Sequence, residues 1–142
     1  MKFSTQEEYG LRCLLRIARA GEGASITIAE IGEAEGLGEA NAAKLLRVLR
    51  IGGFITSARG RDGGYTLARR PEEIGLLDVF AVLGGRLVEE DFCAGYAGTR
   101  PKCVNSVDCT LISLWRMIQG AVDGALKDVT LQDLIPAPVI LP

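Results

Sequence analysis

The tightest constraint on the fold lies between Ile26 and Gly53, where two helix signals are separated by a three-residue glycine turn. Thr27 and Glu30 form a capping-box pattern, with Ile26 and Ile31 at the two positions of a hydrophobic staple, so a short helix starts here and ends near Gly36. Gly36-Leu37-Gly38 leaves room only for a tight connection. Ala42, Leu45, Leu46 and Leu49 then recur on one helical face until Gly52-Gly53 stops the helix. A short helix, a glycine turn and a second amphipathic helix are the parts of a helix-turn-helix. An αα-hairpin that binds nothing shares this pattern, so the flanking sequence has to decide.

Upstream, Ser4 and Glu7 form another capping box, and Leu11, Leu14, Leu15 and Ala18 follow at helical spacing, with Gly21 and Gly23 beyond them. Downstream, Phe54–Ala58 and Tyr65–Ala68 read as two strands around Arg59-Gly60-Arg61-Asp62-Gly63-Gly64, and Asp-Gly is a type I′ hairpin signal. A β-hairpin with arginines at its tip, placed after a helix-turn-helix, is a wing. The expected fold is mainly α with a small β-hairpin wing: a winged helix-turn-helix plus a long C-terminal dimerisation helix.

Charge supports this. The chain carries a net −2, yet residues 44–70 hold seven Lys/Arg against the single Asp62. A slightly acidic protein with one compact basic stretch suits a polyanion partner, although a merely solvated face gives the same count. In a helix-turn-helix the N-terminal residues of the second helix lie nearest the base edges. Asn41 and Lys44 are therefore the base-contact candidates, and Arg47 and Arg50 the phosphate contacts. Arg59 and Arg61 suit a narrow minor groove or phosphates. No Gly-Lys-Ser/Thr follows the glycines, so a phosphate-binding P-loop does not fit. Histidine is absent, which removes Ser-His-Asp and Cys-His catalysis and two-His zinc fingers, and no other acid–base constellation suggests an enzyme. The opening MKFSTQEEYG lacks a signal-peptide apolar stretch, and no run is long enough to span a bilayer, so a cytoplasmic location is expected.

Pro71 to Leu83 reads as one more short helix. Residues 89–110 then lose all periodicity and form a long loop, which in a small domain is usually functional or disordered. After it, Leu111, Trp115, Ile118, Val122 and Ala125 trace a two-heptad seam, expected to bury itself in a homodimer on a pseudo-palindromic operator or else on its own domain. Thr130 and Asp133 open a last helical turn. The division is thus 1–70 for DNA binding, 71–88 as a connecting helix, 89–110 as the cysteine-rich loop, 111–135 for dimerisation and the terminal helix, and 136–142 as a tail.

Cys93, Cys103 and Cys109 fall in that loop with the spacing C-x9-C-x5-C. Reduced cytosolic thiols argue against a disulfide framework. Structural zinc prefers closer pairs and four protein ligands. An iron–sulfur cluster suits soft thiolates on a loop, while zinc and a cluster-free thiol switch stay open as alternatives, as does a small electron-transfer protein.

The order MKFSTQEEYGLRCLL, ITIAEIGEAEGL, LRVLRIGGFITSARGRDGGYTLAR, then a three-cysteine loop and an Leu-Trp helix, resembles the Rrf-type winged-helix regulators, which include IscR-, NsrR- and RsrR-like iron–sulfur sensors. The resemblance implies a dimeric regulator, a repressor by expectation, whose cluster state sets its affinity for double-stranded DNA. It places Cys93, Cys103 and Cys109 as cluster ligands, with 2Fe–2S slightly ahead of 4Fe–4S. Glu8 falls where some members supply an acidic ligand across the dimer, with Asp108 and Cys13 as fallbacks. Ile112 stands where IscR-like members carry a histidine, and the first cysteine gap is longer than the common spacing. The helix start Gly38-Glu39-Ala40-Asn41 also departs from relatives, so no operator sequence is implied.

Overall fold

The structure is a computed structural model describing residues 2–58, 63–88, 92–95, 97–104 and 109–136. Helix α1 spans Thr5–Arg19 and starts on a complete capping box, with the Glu7 amide donating to Ser4 Oγ at 3.2 Å and the Ser4 amide donating to Glu7 Oε2 at 2.7 Å. Its buried stripe is Gly10, Cys13, Leu14, Ile17 and Ala18. Leu11 and Leu15, expected in that stripe, are only half-buried at its edge.

Helix α2 spans Ile28–Glu35 and α3 spans Glu39–Ile51. Thr27 caps α2 by accepting from the Glu30 amide, and Ile31 seals the core. Ile26 has a second task that its staple position did not signal: its backbone forms an antiparallel bridge with Tyr65. Two glycines, Gly36 in the turn and Gly32 within α2, shape this connection. Gly36 ends α2 in the left-handed region at φ 67°, ψ 34°, and a Cβ on Gly32 would sit 2.8 Å from the Leu37 carbonyl oxygen. Arg16 of α1 ties the pair down from the side, its guanidinium 2.9 Å from the largely buried Glu35 carboxylate.

The wing is β1 (Ile55–Ala58) and β2 (Gly64–Leu67), antiparallel, with Ile55 opposite Leu67 and Ser57 opposite Tyr65. The sheet has two strands, and the single bridge from Ile26 to Tyr65 on the other edge of β2 anchors the hairpin to the loop before α2. Phe54, expected in the first strand, precedes it and is buried beneath the Arg69 guanidinium, 5.6 Å from the ring centroid. The tip, residues 59–62, with its expected type I′ turn, lies outside the described residues.

Pro71 to Leu83 is not one helix. A 3-10 turn at Pro71–Glu73 is followed by extended Ile74 and then α4 (Leu76–Leu83). The break has a physical cause in distant partners: the Ile74 carbonyl accepts from the Leu131 amide at 2.9 Å, and the Leu76 amide donates to the Val129 carbonyl at 3.0 Å. Those bonds dock the expected last helical turn, α6 (Leu131–Leu134), onto the core, with the Thr130 amide donating to Asp133 Oδ2 at 2.8 Å. Between α4 and it runs α5, Thr110–Leu126. The tail from residue 137 lies outside the described residues.

Candidate nucleic-acid interface and cysteine segment

The core fixes which face of α3 is outward. Ala42, Leu46 and Leu49 are fully buried, so Asn41, Lys44, Arg47 and Arg50 project to solvent. Among the described residues none of these three cations is in an ion pair, leaving the face electrostatically unsatisfied and ready for phosphate. Gly38 caps α3 without a side chain, so no side-chain oxygen competes for its first amides. Arg59 and Arg61 lie outside the described residues.

Of the four cysteines, Cys13 is sealed in the core, whereas Cys93 is exposed and Cys103 and Cys109 are half-buried. Burial, helped by the Glu35 charge, pushes the Cys13 thiol up to about 11. It is a core residue, which removes it as a fallback ligand. Cys109 is the N-cap residue of α5, so that thiol sits at the joint between the cysteine segment and the helix. Glu8 stands exposed on the first turn of α1 and accepts from Arg12 at 3.1 Å. Among the described residues no three His, Cys, Asp or Glu side chains gather into a metal site within one chain, and Asp108 lies outside those residues. The chemistry of the donor set, three solvent-reaching thiols and a carboxylate, fits a thiolate-held cluster.

Helix α5 is unusual in what it covers. Of its 17 residues only Gln119 is buried. In the expected seam Leu111, Trp115 and Ala125 are exposed, and Ile118 and Val122 half-buried. Leu114 and Met117 add to this uncovered surface, Met117 at 70% exposure. A shallow apolar cleft beside α1, lined by Phe3, Leu11, Leu15 and Phe80, is open in the same way. Gln119, Asp123 and Arg86 form a polar cluster that gave no sequence signal, since a helical Gln and scattered charges read as solvated surface. The Arg86 and Gln119 hydrogen bonds hold the Asp123 carboxyl below the usual carboxylate range.

A helix-turn-helix, a paired hairpin after it and a cationic recognition face define a winged-helix DNA-binding protein. The family described as Rrf2, iron-dependent transcriptional regulator, matches residues 3–137, and the chain belongs to that family. It is 34% identical over 135 residues to Protein rrf2 of Nitratidesulfovibrio vulgaris, covering 95% of this chain and 87% of that one. The fold is similar to T. potens IscR, with TM-score 0.72 and 29% identity over 95% of this chain and 86% of that one. It is also similar to CymR, the global cysteine regulator of B. subtilis, with TM-score 0.71 and 27% identity over 95% and 96%. These are DNA-binding transcriptional regulators and not enzymes. No helix among the described residues is long and apolar enough to cross a membrane.

The buried thiol gives a pH signature. Because folding raises the Cys13 value from 9.0 to about 11, the native state holds this proton more tightly than the unfolded chain. Its contribution is complete below about pH 9 and is lost as the pH climbs toward 11, by about 2–3 kcal/mol. Urea unfolding of wild type and Cys13→Ala at pH 8 and pH 10.5 should show this loss only in the wild type; equal losses would contradict it.

Proposed function

We propose that this chain acts as a homodimeric transcriptional regulator, a repressor, whose affinity for a pseudo-palindromic operator is set by an iron–sulfur cluster sensing redox state, nitric oxide or iron–sulfur status. The observation that carries the reading is where the thiols lie. All three held outside the core fall in the segment that leaves α4 and enters α5, the helix with an uncovered apolar face. In this reading residues 1–70 bind DNA, 71–88 connect, 89–110 carry the cluster, and 111–135 hold the dimer together through α5.

Asn41 and Lys44 read base edges, Arg47 binds phosphate, and Arg59 and Arg61 of the wing enter the flanking grooves. Cys93, Cys103 and Cys109 would hold the cluster, with Glu8 of the partner subunit as fourth ligand. When bound, the cluster supplies an iron–thiolate centre whose charge and integrity follow its chemical surroundings. As a ligand Glu8 would give up its contact with Arg12. It sits on the first turn of α1, the helix on which the DNA-binding half is packed. A coupling of roughly 1–3 kcal/mol is enough to change DNA affinity about 5- to 150-fold. The likeness to CymR, named as a cysteine regulator, favours a second reading in which the same loop thiols sense directly, without a cluster or around zinc.

Arg47→Ala is expected to weaken binding about equally on all duplexes and to lower the salt-dependence slope by about 1. Asn41→Ala should instead change preference at one base pair, by about 1–3 kcal/mol. Titrations of selected and scrambled duplexes across a salt series check both, and an unchanged slope removes Arg47 from the interface. Glu8→Ala should preserve the helical circular-dichroism signal and alter the visible spectrum of cluster-loaded protein; an identical spectrum excludes Glu8.

A further inference from the structure

Among the described residues, the entry to the cysteine segment is tied to the middle of α5. Gln119 is a buried polar residue, 8% exposed, on a helix that is otherwise uncovered. Its Oε1 accepts from the Leu87 amide at 2.7 Å and from the Val88 amide at 3.4 Å, while its Nε2 donates to Asp123 Oδ1 at 2.9 Å. Asp123 Oδ2 in turn accepts from the Arg86 guanidinium at 2.6 Å. Three consecutive residues, 86–88, are thereby bound to one turn of α5. Just before them the Leu83 carbonyl, at the end of α4, accepts from Gln6 Nε2 of α1 at 2.6 Å. Within six residues the chain passes from a bond to the first turn of α1 to bonds with the middle of α5.

A buried amide is costly unless its hydrogen bonds are made, and here they are made to the loop entry and to Asp123. The adjoining cleft of about 390 Å³ is mostly apolar, walled by Phe3, Leu77, Phe80, Val122 and Leu126, with Lys2 and Glu7 also lining it. A leucine would suit that environment better on burial alone. What distinguishes glutamine is that it removes slack between α4 and the cysteine segment.

We propose that Gln119 is the positioning residue that couples the cysteine segment to the DNA-binding half, a role that presupposes that the segment is the sensor. By pinning residues 86–88 to α5, it makes a change in the segment act on α5 and on the α4–α1 junction instead of being absorbed at residues 84–88. Asp123, itself held by Arg86, sets the Gln119 amide orientation by accepting its N–H, so the cluster works as a unit.

The test uses the full-length protein and a duplex selected in vitro with wild type. Affinity is measured for metal-free protein and for protein reconstituted with ferrous iron and sulfide, and the ratio of the two is the readout. Wild type is expected to give a ratio of at least about 5. Q119L should bring that ratio to within about twofold of unity and leave the affinity of the tighter state nearly unchanged. Amide exchange at 86–88 should become faster. Where Q119L does not fold, Q119N serves, since the shorter amide cannot span both the loop amides and Asp123. The double variant Q119E/D123N keeps an acceptor for Leu87 and Val88 and reverses the bond between the two side chains, and should restore the ratio. A variant with faster exchange and the full wild-type ratio overturns the coupling role and leaves Gln119 merely structural. A wild-type ratio of one is a different failure, because it removes the cluster-sensor reading itself.

Discussion

Helix α1 is the member against which the rest of the DNA-binding half is packed. Its buried stripe meets α2, α3, α4 and the wing strand β2. At Gly10 a Cβ would fall 2.4 Å from the end of the Leu83 side chain, so the bare position lets α4 pack close against α1. Leu14 and Ile17 then sit in the same core as Leu46 and Leu49 of α3, whose burial fixes the outward aim of Asn41, Lys44 and Arg47. Interiors this dense pass displacement on rather than absorb it. Helix α1 thus touches both the recognition helix and the wing strand β2. Glu8 on its first turn and Arg16 near its last, ion-paired to α2, lie at the two ends of that helix.

The helix starts were legible in the sequence because they are local. Ser4–Glu7 forms its full capping box, Thr27 accepts from the Glu30 amide without the reciprocal bond the box pattern implied, and a last helical turn starts after Thr130 as expected. The hairpin was legible from its strand residues and glycines, and its register places Ile55 in the core. What escaped the sequence depends on partners far along the chain. Ile74 leaves the helical conformation to bond the segment around Leu131, and Ile26 bridges Tyr65, and neither partner is implied by neighbouring residues. Gln119 escaped for the same reason, since its acceptor and donor roles are set by Leu87, Val88 and Asp123. Of the site, the outward row on α3 followed from periodicity, whereas Glu8 and the loop cysteines remain apart within one chain, which no spacing rule could bring together.

The division of labour follows from burial. The thiol that must stay inert is inside, with its proton held by desolvation, while the three available for chemistry reach solvent on a segment without helix or strand among its described residues. That segment opens directly into α5, whose exposed Leu111, Leu114, Trp115 and Met117 would be costly to leave uncovered. One apolar helix is thus joined to the cysteine segment at its N-cap Cys109 and to the entry of that segment through Gln119.

The most direct test of this account is the iron, acid-labile sulfide and zinc content of anaerobically purified protein, read with its visible spectrum. The account predicts a coloured protein with near-equal iron and sulfide, whose spectrum separates a 2Fe–2S from a 4Fe–4S cluster. Colourless protein that stays metal-free after reconstitution with iron and sulfide would contradict it, and would leave a winged-helix regulator that senses through its thiols alone.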